Sequence, residues 1–132
     1  MSDENRAIAH RWMQEVWNER REDVIDELMS DSAVGHMEGG DAHGPAGFKA
    51  VRAALLDAIP DLRIEIEDSV AEADRVVVRW HVTGTHHGAG LGIPPSGRPV
   101  SASGMTWFRF SNGKLAEGWD SWNLGGLLER LR

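Results

Sequence analysis

The hydrophobic period of the chain changes at Pro60. Before this proline, apolar residues recur every three or four positions, as on the buried face of an amphipathic helix. After it, apolar and polar residues alternate, as on a strand with one solvent-exposed face. Helices that precede a series of strands predict an α+β fold, with N-terminal helices packed on a curved antiparallel sheet.

The spacing of apolar and turn residues predicts the individual elements. Three helices are expected over residues 3–20, 24–29 and 45–59. A short strand within residues 31–38 precedes four longer strands. These longer strands are expected at residues 62–67, 76–83, 100–110 and 114–122. The segment HHGAGLGIPPSGRP is too rich in Gly and Pro for a regular element, and we interpret it as a long loop of the kind that often carries function.

Charge and composition restrict the partners that the chain can bind. The 132 residues carry a formal net charge of −7 without a cluster of Arg or Lys, which disfavours nucleic acid. No apolar stretch is long enough to cross a membrane, and the polar start MSDENRAIAHR does not resemble a signal peptide. We therefore expect a single domain over residues 1–132, no nucleic-acid or membrane partner, and a cytoplasmic location.

Several residue types and spacings are missing, and each absence excludes a kind of chemistry. The chain has no cysteine, so disulfides, thiol catalysis and cysteine-ligated metals are ruled out. No two of the six histidines have the i,i+4 spacing of a helical zinc motif. The glycines of GAGLG do not lie between a strand and a helix, as a phosphate-binding loop requires. We expect neither a metal nor any other cofactor.

The turn Ser-Asn-Gly at residues 111–113 decides which side chains lie beside Asp120. With a two-residue loop, Asp120 faces the same way as Met105, Trp107 and Arg109. With a three-residue loop and a left-handed Gly113, its face holds small and aromatic residues instead. These are Gly104, Thr106, Phe108, Phe110, Ala116, Gly118 and Trp122. We favour the three-residue loop, because that face makes the better pocket, with space at the carboxylate and an apolar wall.

Several segments resemble the SnoaL-like polyketide cyclases, also called ester cyclases. They are AIPDLRIEIED, HGPAGFKAVRAAL, GTHHGAGLGIPPSGRPV and GMTWFRFSNGKLAEGWDSWNLGGLLERL. The resemblance implies a cone of the nuclear transport factor 2-like type, and an aldol cyclisation of a polyketide without cofactor or metal. The acid/base aspartate of those cyclases falls on Asp120 and one histidine on His86. A second histidine that assists in those cyclases is replaced by Thr106.

Asp120 is the principal candidate for catalysis. In an apolar pocket the carboxylate is disfavoured, so its pKa rises toward working pH and it can exchange a proton with a carbon next to a carbonyl. His86 is the second catalytic candidate, either to stabilise an oxyanion or to orient Asp120. The expected substrate-binding residues are His36, Trp80, Thr106, Phe108 and Trp122. The expected ligand is a hydrophobic carbonyl compound.

Other interpretations remain open at this point. Asp120 could serve only to accept backbone N–H bonds, His86 could only pack the loop, and the pocket could bind a ligand without converting it. The chain lacks tyrosine and shows no second acid clearly on the Asp120 face, which disfavours ketosteroid isomerisation and epoxide hydrolysis. A homodimer through the outer sheet face is also expected, where Trp107 or Trp119 would otherwise be exposed.

Overall fold

The computed structural model describes residues 2–132. The first helix, α1 (Ser2–Arg11), continues into a π-helical segment (Trp12–Asn18). The other helices are α2 (Asp23–Leu28), α3 (Gly44–Ala58) and α4 (Leu124–Leu131). The strands are β1 (Met29–Met37), β2 (Gly40–His43), β3 (Arg63–Glu72), β4 (Arg75–Thr85), β5 (Pro99–Ser111) and β6 (Lys114–Trp122).

The six strands form one open sheet in the order β2-β1-β6-β5-β4-β3. Neighbouring strands are antiparallel except β1 and β6, which are parallel. The helices pack on one face of this curved sheet, so the predicted α+β class is confirmed. The sheet is mixed because β1, which is longer than the short strand expected within residues 31–38, pairs in parallel with β6. None of the helices within residues 2–132 has the length and apolar character needed to cross a bilayer.

The core lies between the helices and the inner face of the sheet. The predicted apolar stripe of the first helix is buried, with Trp12, Met13, Val16 and Trp17 at most 7 % exposed. All four belong to the π-helical segment, a local geometry that is frequent at functional sites. They pack with apolar residues of α3 and the central strands in one continuous cluster.

Arg52 is a charged residue within this core, only 5 % exposed. It lies on α3, and its Nε donates to the carbonyl oxygen of Val16 at 3.0 Å. Helix ends leave carbonyl groups without partners in the helix, and Val16 lies in the last turn of the π-helical segment. Nearby, Arg20 donates to the carbonyl oxygen of Trp17. Arg52 therefore completes the end of the first helix and ties it to α3.

Replacing Arg52 by Met should destabilise the protein by about 1–3 kcal/mol, because the buried Val16 carbonyl loses its donor. The matched control is Lys49→Met on the same helix, which removes a more exposed ion pair to Asp26 of α2. This change should cost less than about 1 kcal/mol. Urea unfolding followed by tryptophan fluorescence measures both. Equal losses for the two variants would contradict the role given to Arg52.

The β5–β6 hairpin closes through a two-residue loop. Ser111 pairs with Lys114, and Asn112 and Gly113 both have a positive φ, 53° and 75°. This is the backbone of a type I′ turn, for which Asn-Gly is the preferred sequence. The three-residue loop that we favoured from the sequence is therefore corrected.

Asp120 nevertheless faces the predicted side of the sheet. Ala116 is an extra residue in β6, a β-bulge that shifts the rest of the strand by one position. Asp120 consequently pairs with Thr106 and faces the helices. Leu115, rather than Ala116, takes the inward position before the bulge and is buried. The bulge therefore turns Asp120 toward the inner face, as the three-residue loop was expected to do.

Candidate active site

A cavity of about 550 Å³ lies between the helices and the inner face of the sheet. Apolar side chains form most of its wall, and six aromatic rings are among them: Trp12, Trp17, Phe48, Trp80, Phe108 and Trp122. The ionisable residues of the wall are His36, Glu38, Asp41 and Asp120. Among the described residues that line the cavity there is no lysine or arginine. The cavity is thus apolar with an acidic character.

The Asp120 carboxylate is held by a chain of two hydrogen bonds. The Thr106 hydroxyl donates to Oδ1 of Asp120 at 2.7 Å. The indole N–H of Trp80 donates to Oγ1 of Thr106 at 2.9 Å. Both donor residues are buried, and each lies on the strand next to its acceptor. Within residues 2–132 no side chain or backbone group donates to Oδ2 of Asp120, so this oxygen is free to act on a ligand.

Enclosure raises the pKa of Asp120 to about 6. The main cause is desolvation, because Asp120 is partly buried and lines a mostly apolar cavity. The hydrogen bond from Thr106 opposes this rise, and the negative charge of Glu38 adds to it. At pH 7 most of the carboxyl groups are then ionised. Asp120 can act as a base and return the proton as an acid near neutral pH.

Glu38 is a second acid at the cavity, which the sequence pattern did not reveal. Its carboxylate accepts the backbone N–H groups of Trp122 at 2.8 Å and Leu124 at 2.9 Å, and so joins the end of β1 to the start of α4. The expectation of no second acid beside Asp120 is corrected. No local signal marks Glu38, because its position depends on the parallel pairing of β1 with β6, which are distant in sequence.

The structure does not bring His86 to Asp120. His86 is fully buried and is not among the residues that line the cavity. Its Nδ1 accepts the Ser96 amide at 3.2 Å and lies 2.8 Å from the Ser96 hydroxyl. Nε2 of His86 is buried and has no hydrogen-bond partner within residues 2–132. The residue that orients Asp120 is Thr106, and His86 closes the long loop.

The glycines of that loop serve packing against α3. A side chain at Gly88 would lie 1.9 Å from the carbonyl oxygen of Asp57, and one at Gly90 would lie 2.1 Å from that of Ala54. The amides of His87 and Gly88 also donate to the Ala58 carbonyl at the end of the helix. The loop is therefore fixed on α3. Its residues Gly90 and Leu91 form part of the cavity wall.

His36 borders the cavity, but its ring takes part in a cluster on the outer face. Nε2 lies 2.7 Å from Glu117, Nδ1 lies 3.0 Å from Asp41, and the ring stacks on Trp119 with centroids 5.3 Å apart. The hydrogen bonds to Glu117 and then Asp41 raise the pKa of His36. Glu117 also bonds to Arg109 at 3.2 Å. Both ring nitrogens are thus occupied, and His36 has none left for a ligand.

The other predicted binding residues meet at the cavity. Trp80, Thr106, Phe108 and Trp122 all line it together with Asp120. The hydroxyl of Thr106, one of the expected substrate-binding residues, donates to Asp120. Within residues 2–132, no three His, Cys, Asp or Glu side chains are arranged to hold a metal ion.

Helices packed on a curved, open sheet around one apolar cavity define the nuclear transport factor 2-like class of α+β proteins. Comparison with protein families places the chain within that class, because the model of the SnoaL-like polyketide cyclases matches residues 7–131. The chain belongs to the SnoaL-like polyketide cyclase family. No curated protein matches it in sequence.

Solved structures agree with this assignment. A candidate SnoaL-like polyketide cyclase from Jannaschia sp. CCS1 has a TM-score of 0.92 and 26% identity, over 98% of this chain and 92% of that one. AclR from Streptomyces galilaeus, named as a candidate hydroxylase, has a TM-score of 0.86 and 33% identity, over 99% and 82%. IdmH from Streptomyces antibioticus, named as a candidate polyketide cyclase, has a TM-score of 0.82 and 26% identity, over 96% and 97%.

The raised pKa of Asp120 predicts a pH-dependent gain of stability in Asp120→Asn. A carboxyl with a pKa of about 6 in the fold and 3.8 as its ordinary value binds more protons when folded. Its contribution to stability is therefore full below about pH 4 and is lost as pH rises through about 6, a change of up to about 3 kcal/mol. Asp120→Asn should exceed the unmodified protein in stability at pH 8, with the difference falling toward zero at pH 4.

Urea unfolding at several pH values measures this difference. Asp74→Asn, the same change at an exposed turn, is the matched control and should show no such trend. A constant difference between Asp120→Asn and the unmodified protein across the range would contradict the raised pKa.

Proposed function

We propose that the protein is a cofactor-free enzyme that performs general acid/base chemistry on a hydrophobic carbonyl compound through Asp120. The observation that carries the proposal is a carboxylate in an aromatic cavity with one oxygen held by Thr106 and the other free. The reaction class is proton transfer at a carbon next to a carbonyl, with aldol-type cyclisation as one outcome. Membership in a family named for polyketide cyclases supports the same class.

In this mechanism Oδ2 of Asp120 removes the proton from the carbon, and the electron pair of the broken C–H bond forms an enolate. The protonated Asp120 then donates to the developing oxyanion or returns the proton to carbon. The Thr106 hydroxyl keeps Oδ1 in place throughout. A positioned base of this kind contributes about 10²–10⁴-fold to a rate. His86 contributes by holding the loop that walls the cavity, through its bonds to Ser96.

The cavity favours an uncharged ligand over an anion. Its described ionisable wall residues include three acids, Glu38, Asp41 and Asp120, and no lysine or arginine. A ligand carboxylate would lose its hydration and gain no positive partner, because both ring nitrogens of His36 are occupied by Asp41 and Glu117. The aromatic wall suits a flat or polycyclic apolar body instead. The substrates to test are therefore uncharged aromatic ketones and diketones.

Thr106 supplies no second group that can exchange a proton beside Asp120. A histidine at this position in the cyclases that the chain resembles could take or give a proton, whereas a threonine hydroxyl remains neutral at working pH. This favours a single proton transfer by Asp120. It also favours the second candidate function, a binding module in which the carboxylate only orients the ligand.

Deuterium exchange distinguishes the two functions without knowledge of the product. In D₂O the unmodified protein should speed exchange at the carbon next to the carbonyl of a bound ketone, as followed by proton NMR. Asp120→Asn should reduce this exchange about 10²–10⁴-fold and still bind the ketone. The control Asp74→Asn should exchange at the normal rate. Equal exchange in Asp120→Asn would overturn the enzyme proposal, and a ketone that binds to the unmodified protein without exchange would favour the binding module.

We also propose that the protein forms a homodimer through the outer face of the sheet. Met105 and Trp107 are adjacent outward residues of β5, 49% and 47% exposed, and Val70 of β3 is 60% exposed. Charges of both signs border them, including Arg79 and Glu67. A second copy related by a twofold axis presents the same apolar and charged groups, so the face can be complementary to itself.

Replacing Trp107 by Glu should convert the dimer to a monomer, because it places a charge in the centre of this face. Sedimentation velocity at micromolar concentration measures the change. Lys114→Glu, at the tip of the hairpin, is the control and should leave the assembly unaltered. An unmodified protein that sediments as a monomer at these concentrations would refute the dimer.

A further inference from the structure

Trp80, Thr106 and Asp120 form a hydrogen-bond chain whose direction is fixed by chemistry. An indole N–H can only donate, so Oγ1 of Thr106 must be its acceptor at 2.9 Å. The hydroxyl proton of Thr106 is then directed away from Trp80, and the acceptor within reach is Oδ1 of Asp120 at 2.7 Å. Trp80 therefore settles which way the Thr106 hydroxyl points.

We propose that Trp80 is a positioning residue for Asp120, because its N–H fixes the Thr106 hydroxyl as a donor to Oδ1 and confines the exchangeable proton of Asp120 to Oδ2. This role rests on the proposed function of Asp120 as the acid/base group. It assigns the reactive proton to one of two oxygens, the one without a protein partner. The proton is thus held where a ligand in the cavity can take it.

The packing around Trp80 keeps the chain in place. Trp80 is 6% exposed, and its ring lies against Trp122 with centroids 5.8 Å apart and planes at 64°. Gly104 makes the space for both rings, since a side chain there would lie 2.8 Å from the Trp80 ring and 2.6 Å from Cβ of Trp122. The indole N–H is therefore aimed at Thr106 by the shape of the wall.

Trp80→Phe keeps an aromatic ring and removes the N–H. The Thr106 hydroxyl then loses the donor that polarises it and is free to turn away from Asp120. A donor to a carboxylate favours the anion, so its weakening should raise the pKa of Asp120 by about 0.3–1 pH unit. Trp122→Phe alters the ring that packs on Trp80 but removes no donor or acceptor of the Trp80–Thr106–Asp120 hydrogen bonds, so it should shift the pKa of Asp120 by less than Trp80→Phe does.

Carbon-13 NMR of the Asp120 carboxyl measures this titration without any substrate. Thr106→Val removes the hydroxyl that links Trp80 to Asp120. Adding Trp80→Phe to this variant should therefore not raise the pKa of Asp120 further. Thr106→Ser retains the hydroxyl and should restore a normal titration. If Trp80→Phe and Trp122→Phe shift the pKa equally, or if the shift persists in Thr106→Val, Trp80 acts only through packing and the proposal is overturned.

A second measurement uses the protein without changes at Trp80. The indole N–H resonance of Trp80 should move with a midpoint near the pKa of Asp120, about 6, and should stop moving in Asp120→Asn. An indole resonance that does not follow this titration would also overturn the proposal. Both measurements report on protonation alone, so a chain that titrates as expected but gives no deuterium exchange would count against the enzyme proposal and not against Trp80.

Discussion

The extra residue in β6 is the constraint on which the site depends. A strand alternates its side chains between two faces, so one added residue exchanges the faces of everything beyond it. Ala116 is that residue, and beyond it Asp120 enters the cavity while Glu117 and Trp119 lie outside. Without the bulge, the two-residue hairpin would place Trp119 toward the helices and the carboxylate on the outer face.

The acids on the two faces of the sheet consequently have opposite electrostatic surroundings. Inside, Asp120 is held away from water with a single donor, and its ionisation costs stability, as is common where proteins maintain reactive groups. On the outer face, His36 and Glu117 form an ion pair at 2.7 Å. The pKa of His36 is raised and the pKa of Glu117 is lowered, so each residue favours its charged form. An acid that is compensated this well is a poor base. The uncompensated acid is therefore the one suited to chemistry.

Much of this arrangement could be predicted from the sequence, because it follows from local patterns. The change of hydrophobic period predicted the helices and the strands that follow them. Asp120 was also expected on the inner face, although the expected cause was a three-residue loop and the actual cause is the bulge at Ala116. Glu38 could not be foreseen, since it reaches the cavity through a parallel pairing between distant segments. The surroundings of His86 were also out of reach, because they depend on where the folded loop places the Ser96 amide.

The loop after β4 is fixed to the rest of the fold at both of its ends. Its first part lies on α3, where Gly88 and Gly90 leave no space for a side chain, and its end is tied back through His86 to Gly97. Between these anchors, residues 91–95 place Leu91 in the cavity wall and bury Ile93. Substitution of Leu91 would change the cavity wall at a position outside the sheet, which makes this residue a suitable place to engineer a different ligand preference.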